Sequence, residues 1–236
     1  GGIGNTTLAQ VVYNDQRVQD HFHLRMWVCL PESMDVARAT KEIIESATKG
    51  AAAQPAGLAN LDSLHGIVRD LVKSKRFLLV LDNAWFEDTQ EWQTLFAPLN
   101  YGHPGSVILV TSRSCKVADA AGAAEMVCLN GLPDEAYWEL FKQYAFGDEE
   151  PADHPELVII GKKIAHKFKG SPLAAKTVGV MLSSDISAKH WSTVMTSGLW
   201  ELDQGAGDIL PALRLSYQYL PAHLKRCFTY CALFPE

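Results

Sequence analysis

Long apolar runs are missing from this chain. Nowhere do hydrophobic residues approach the roughly eighteen consecutive positions that a membrane-spanning helix needs, so no transmembrane segment is expected. Basic charge is also short: 21 Lys and Arg stand against 27 Asp and Glu, a formal net charge of −6. That balance argues against nucleic acid or an anionic membrane as the main partner, because both demand a basic face. The five cysteines, Cys29, Cys115, Cys128, Cys227 and Cys231, are scattered without metal-ligand pairs. An odd count in a chain lacking a signal peptide points to reduced thiols and a cytoplasmic protein. An initiating methionine is lacking too, and the chain stops at Pro235-Glu236 after an apolar run, which suggests an internal segment of a longer protein.

What remains is ordinary soluble-protein material, 236 residues with 47% hydrophobic and 20% charged, enough for one or two domains with a sizeable core. The first seven residues, Gly1-Gly2-Ile3-Gly4-Asn5-Thr6-Thr7, look like part of a phosphate-binding loop. In G-x-x-x-x-G-K-[ST] the glycines let backbone N–H groups curl around phosphates, the lysine reaches the β- and γ-phosphates, and the hydroxyl coordinates Mg2+. Gly4, Asn5 and Thr6 fall on the last three positions, so Asn5 stands where the lysine belongs. Taken alone, a glycine-rich stretch at a terminus is more often just a flexible end. Leu8, Val11 and Val12 follow at helical spacing, placing the loop at a helix N-terminus, where orphan N–H groups and the dipole favour an anion.

Leu24–Leu30 is a short β-favouring run stopped by Pro31, and Asp35 is a candidate N-cap for a helix with Val36, Thr40, Ile43, Ile44 and Ala47 on one face. A loop over 49–59 precedes a second amphipathic helix through Leu61, Leu64, Val68, Leu71 and Val72. Phe77-Leu78-Leu79-Val80-Leu81 then reads as a strand of a parallel sheet covered on both faces, ending in Asp82. A carboxylate at the C-terminal end of such a strand sits where α/β proteins keep ligands. In phosphate-loop proteins it holds Mg2+ opposite the loop hydroxyl; the competing reading is a solvated turn aspartate. Asn83 follows and cannot act as a base at neutral pH.

Val107–Val110 predicts another strand, leading through Thr111-Ser112 to Arg113, whose planar guanidinium suits a terminal phosphate if it faces the same crevice. A last strand is expected over Glu125–Leu129, completing the alternation of a doubly wound α/β sheet. From Gly131 the pattern is helical only. Tyr137, Leu140, Phe141 and Tyr144 share one face; Leu157, Ile160, Ile164 and Phe168 share another, closed by Gly170. Ser171–Gly179 opens with Pro172 near a helix N-terminus and is apolar enough to be packed on all sides. Trp191, Val194, Met195 and Trp200 read as core. Leu224, Cys227, Phe228 and Cys231 read as the core stripe of a helix, not as a metal site.

In this order the motifs resemble the NB-ARC nucleotide-binding domains of plant intracellular immune receptors with leucine-rich repeats, relatives of the animal apoptosis activators. The resemblance rests on Gly1–Thr7, Leu24–Leu30 with Asp35–Thr48, Arg76–Asp82, Gly105–Arg113, Gly131-Leu132 with Trp138–Phe141, Gly170–Ala175 and Cys227–Pro235. Trp85 is similar to the subclass carrying an N-terminal coiled coil. The resemblance implies a P-loop NTPase-like parallel sheet over 1–130, without the strand that ordinarily precedes the loop and with the edges of that strand's neighbours exposed. A small helical domain over 131–203 and the start of a winged helix over 204–236 would follow, the coiled-coil and repeat domains lying outside this sequence.

It further implies a switch: closed with ADP, opened by exchange to ATP, able to form homo-oligomers when active, and reset by hydrolysis no faster than that of a slow ATPase. Carried over, Gly2, Ile3, Gly4, Asn5, Thr6 and Thr7 surround the phosphates, Thr6 and Asp82 hold Mg2+, Arg113 senses the γ-phosphate, and Pro172 packs against adenine. Because Asn5 replaces the lysine, a nucleotide-free scaffold module is the alternative. DNA binding is disfavoured, since Lys225-Arg226 is the only adjacent basic pair in the last segment.

Overall fold

A computed structural model of the chain describes residues 2–32, 35–50, 60–197 and 211–234. It divides into two compact units, Asn5–Cys128 and Gly1–Gly4 with Leu129–Glu236.

The first unit is built on a parallel sheet of β1 (Leu24–Cys29), β2 (Phe77–Ala84) and β3 (Val107–Ser112), ordered β1-β2-β3. Leu24 pairs with Phe77 and Cys29 with Asp82 on one side of β2, while Leu78 pairs with Val107 and Leu81 with Val110 on the other. Parallel strands require crossovers, and these carry α3 (Val36–Thr48) and α4 (Leu61–Val72), then α5 (Thr89–Phe96). Ahead of the sheet lie α1 (Asn5–Asn14) and α2 (Gln16–His21); after it comes α6 (Cys115–Ala120). Alternate residues of β2 serve two cores. Phe77, Leu79 and Leu81 pack with Ile43, Leu64, Val68, Trp92 and Val117 from α3 to α6, whereas Leu78 and Val80 meet Ala9 and Tyr13 of α1 with Val18 and Phe22. Burial on both faces is what the uninterrupted apolar run dictates. Each fully buried aliphatic side chain contributes about 1.5–3 kcal/mol.

Local signals set the helix starts. Asp35 accepts the backbone N–H of Arg38 and begins α3, and Asn60 accepts that of Ser63 and begins α4. Two expectations about this unit need correction. The strand at Glu125–Leu129 does not form: residues 123–133 have no regular structure, and Val127 is 72% exposed. Its Met126, Val127 and Leu129 find neither a strand edge nor a core to cover them, and without a partner the β conformation has no ladder to stabilise it. The helix expected from Leu8, Val11 and Val12 forms as α1, with Ala9 its buried residue and Val11 63% exposed. Finally, the edge expected to lie open beside an absent strand is not found at β2, which is paired on both sides; among the described residues the free edges are those of β1 and β3.

The second unit contains α7 (Asp134–Phe146), α8 (Pro155–His166), α9 (Pro172–Ser183), α10 (Ala188–Thr196), α11 (Pro211–Tyr219) and α12 (Ala222–Cys231). Its core joins Tyr137, Phe141, Leu157, Ile160, Ile164, Val178, Leu182, Trp191, Val194 and Leu215. Trp191 satisfies its indole N–H on the Leu182 carbonyl at 3.2 Å, so a large aromatic is buried without an orphan donor. Gly179 permits close approach of α7 and α9, because a Cβ there would lie 2.4 Å from that of Tyr144. α9 is not enclosed all round, as Leu173 and Val180 are exposed. In α12 the stripe of Leu224, Cys227, Phe228 and Cys231 is helical yet exposed, Phe228 at 65%. Trp200 and the expected boundary between 203 and 204 lie outside the described residues.

Candidate functional site

The C-terminal ends of β2 and β3 bring together residues far apart in sequence. β2 does not stop at Asp82 but runs to Ala84 with a register shift between Leu81 and Ala84, and Asn83 adopts φ +59°. Asn and Asp tolerate this left-handed conformation better than other side chains, which gives Asn83 a backbone role independent of acid–base chemistry. Such irregularities re-aim side chains beside sites. Here Asp82 is only 5% exposed and accepts from two hydroxyls. Thr6 donates to Oδ1 at 2.9 Å and stands 3.1 Å from Oδ2, while Thr111 donates to Oδ1 at 2.6 Å. The Asn83 N–H donates in turn to Thr111 Oγ1 at 2.9 Å. Ser112 Oγ closes the strand ends by donating to the Ala84 carbonyl at 2.9 Å.

Asn5 opens α1, and its amide Nδ2 donates to the Ser112 carbonyl at 3.0 Å. The neutral side chain at the lysine position is thus engaged with β3. Thr6 and Thr7 follow in the first turn, where unpaired N–H groups are available to an anion. The exposed Arg113 has its guanidinium carbon 5.1 Å from the centroid of the Trp85 ring. The Trp85 indole N–H is buried without a hydrogen-bond partner among the described residues. Cys29, opposite Asp82 in the register of β1 and β2, has its thiol pKa pushed up, first by burial and then by the negative charges of Asp82 and Glu42.

The division between the two units falls inside the glycine loop, after Gly4. Within the helical unit the Gly2 carbonyl accepts from the Leu173 N–H at 3.2 Å and from Ser171 Oγ at 3.2 Å. Ser171 also caps α9, accepting from the Ala174 N–H, and half-buried Pro172 occupies the first helical position. Gly2 has φ +78°, and a Cβ there would approach that of Leu173 to 2.8 Å, so both backbone and packing demand glycine. Gly4, at φ +106°, faces open space and is required by its backbone alone. Ile3 between them is half-buried.

Thr6, Asp82, Asn5, Arg113, Gly2 and Pro172 were each legible as motif positions. Thr111 and Ser112 were not assigned a role, though their place between an apolar strand and Arg113 is a usable signal. The donor set fits Mg2+: Thr6 and Asp82 supply hard oxygens, and this cation is held by one or two protein groups plus phosphate and water. Among the described residues no three His, Cys, Asp or Glu side chains gather, so the acidic centre has no all-protein cage.

Comparison with known proteins gives a consistent result. The family model described as NB-ARC domain matches residues 1–150. The chain is 46% identical to disease resistance protein RGA2 of Solanum bulbocastanum, 40% identical to the putative disease resistance RPP13-like protein 1 of Arabidopsis thaliana, and 32% identical to disease resistance protein RPM1 of Arabidopsis thaliana. Each alignment covers 100% of this chain and 24%, 22% and 26% of the respective relative, so the chain spans about a quarter of their length.

Proposed function

This chain belongs to the NB-ARC domain family, and on that premise we propose that it is the adenine-nucleotide-binding switch segment of a plant immune receptor, taking ADP or ATP with Mg2+. The observation that carries the reading is the hydrogen-bonded pair of Thr6 and Asp82 at the C-terminal end of a parallel sheet, beside the N-terminus of α1. A loop hydroxyl joined to a strand-end carboxylate is the arrangement phosphate-loop proteins use for a metal–phosphate group. The similarity to proteins named for disease resistance supports the receptor context.

In this reading the first-turn N–H groups of Asn5, Thr6 and Thr7 bind phosphate oxygens, and Thr6 and Asp82 hold Mg2+, which neutralises phosphate charge when bound. Arg113 leaves the Trp85 face for a terminal phosphate. Gly2 and Gly4 take the phosphate-side role that their backbones allow, and Pro172 the adenine. Asn83 cannot abstract a proton, so turnover is slow and the nucleotide acts by occupancy. Switching requires ADP and ATP to favour different arrangements of the chain by unequal affinity, for a ligand that binds both equally shifts nothing. Assembly into homo-oligomers and a cytoplasmic location go with this role.

A second reading is favoured by one observation, the engagement of Asn5 with Ser112 in place of a charged lysine. It makes the chain a nucleotide-free scaffold. Titration of ADP and ATP with Mg2+, followed by calorimetry and by melting temperature, separates the two. Saturable heat and an upward melting shift support the switch. No response up to millimolar nucleotide replaces it with the scaffold.

A further inference from the structure

The motif at the end of β3 draws attention to Arg113, yet the side chain that reaches the acidic centre from that strand is Thr111, two positions earlier. Its hydrogen bonding leaves no choice of direction. A backbone N–H can only donate, so the Asn83 amide, 2.9 Å from Thr111 Oγ1, makes that oxygen an acceptor. The hydroxyl has one hydrogen, and it goes to Asp82 Oδ1 at 2.6 Å. Thr111 is half-buried within a strand and β-branched, so its Oγ1 has little rotational freedom. Asn83 is held in place by the left-handed backbone at the irregularity of β2.

The two oxygens of Asp82 are therefore unequal. Oδ1 accepts from both Thr111 and Thr6, whereas among the described residues Oδ2 has only the longer 3.1 Å approach of Thr6. Oδ2 is the oxygen with lone pairs to spare. We propose that Thr111 is a positioning residue that locks the Asp82 carboxylate with Oδ2 presented to a divalent cation. The inference rests on the nucleotide reading above and extends it to a side chain that neither the glycine loop nor the strand-end aspartate includes. A hydroxyl that merely satisfies a buried carboxylate would contribute to folding stability without altering cation binding, and this difference is measurable.

The test compares the chain with Thr111→Val, which keeps the shape and removes the hydroxyl, and Thr111→Ser, which restores it. Mg2+ is titrated at fixed ADP and followed by melting temperature; Mn2+ is titrated without nucleotide and followed by paramagnetic broadening of the Thr6 and Asn83 amide signals. Loss of an outer-shell partner costs roughly ten- to a hundredfold in metal affinity. The Val variant is expected to raise both cation midpoints by about that factor and the Ser variant to remain within about twofold of the parent. Cation midpoints unchanged in the Val variant, whatever happens to its ligand-free melting temperature, overturn the proposal. So does a Ser variant as impaired as Val. If the parent responds to Mn2+ but not to ADP with Mg2+, the nucleotide reading fails while the Mn2+ comparison still decides the role of Thr111; a parent silent to both defeats both.

Discussion

The carboxamide of Asn5 donates to the carbonyl of Ser112 at 3.0 Å, tying the lysine position of the glycine loop to the end of β3. Replacing it by lysine exchanges this bond, whose net contribution is about 0.5–1.5 kcal/mol, for charge-assisted bonds to phosphate of about 1.5–3 kcal/mol. Asn5→Lys is accordingly expected to tighten ADP binding about tenfold or more while slightly lowering ligand-free stability. Asn5→Ala should lose stability without losing nucleotide affinity. Calorimetry on the three proteins side by side checks this, and equal affinity for Asn5 and Lys would show that backbone groups carry the binding.

Cys29 lies opposite Asp82 in the register of β1 and β2 and is expected to sense its charge. Burial is the main cause of its raised thiol pKa, with Asp82 and Glu42 adding to it. A raised pKa means less thiolate at any given pH and slower alkylation. Asp82→Asn removes one negative neighbour, so the pH–rate profile of Cys29, read peptide by peptide, is expected to move toward lower pH without reaching that of a free thiol. An unmoved profile would mean that Asp82 carries no charge sensed at β1.

The guanidinium of Arg113 rests over Trp85 at 5.1 Å, a contact worth about 0.5–1 kcal/mol at an exposed site. If Arg113 serves the terminal phosphate, Arg113→Ala weakens ATP more than ADP. Trp85→Leu, which removes the competing ring, is then expected to shift preference the other way. Competition titrations with both nucleotides measure the ratio, and parallel losses for ADP and ATP would remove the sensor role.

Two helix glycines should respond with opposite sign to the same substitution. Alanine is a better helix former than glycine by about 0.8–1 kcal/mol. At Gly66 in α4 a Cβ meets nothing within 4 Å, so Gly66→Ala is expected to stabilise by up to that amount. At Gly179 the Cβ would sit 2.4 Å from Tyr144 Cβ, and overpacking costs about 1–3 kcal/mol. Gly179→Ala is expected to destabilise, as urea unfolding would reveal.

Much of this arrangement was written locally. The Asp35 cap opens α3, and the run from Phe77 to Leu81 forms a strand buried on both faces. Thr6 and Asp82 were recognisable because each belongs to a spaced motif. Thr111 was not: its place between an apolar strand and Arg113 marks it as near the strand end, but which group its hydroxyl meets is fixed only by its neighbour across the sheet. The failures have the same origin. Val127 and Phe228 carry the apolar character or spacing of covered residues, yet both remain exposed.

Apart from the strand expected over 125–129, the sequence alone determined which of the described segments coil and which extend, because periodicity, caps and glycine conformations act within a few residues. It also determined the charge balance and the chemical types at the motif positions. Only the tertiary structure decided which apolar stripes are covered, that β2 is paired on both sides, and that Thr111 directs its one proton to Asp82 Oδ1. Burial and hydrogen-bond direction are properties of pairs of surfaces, and the partners in those pairs lie dozens of residues apart along the chain.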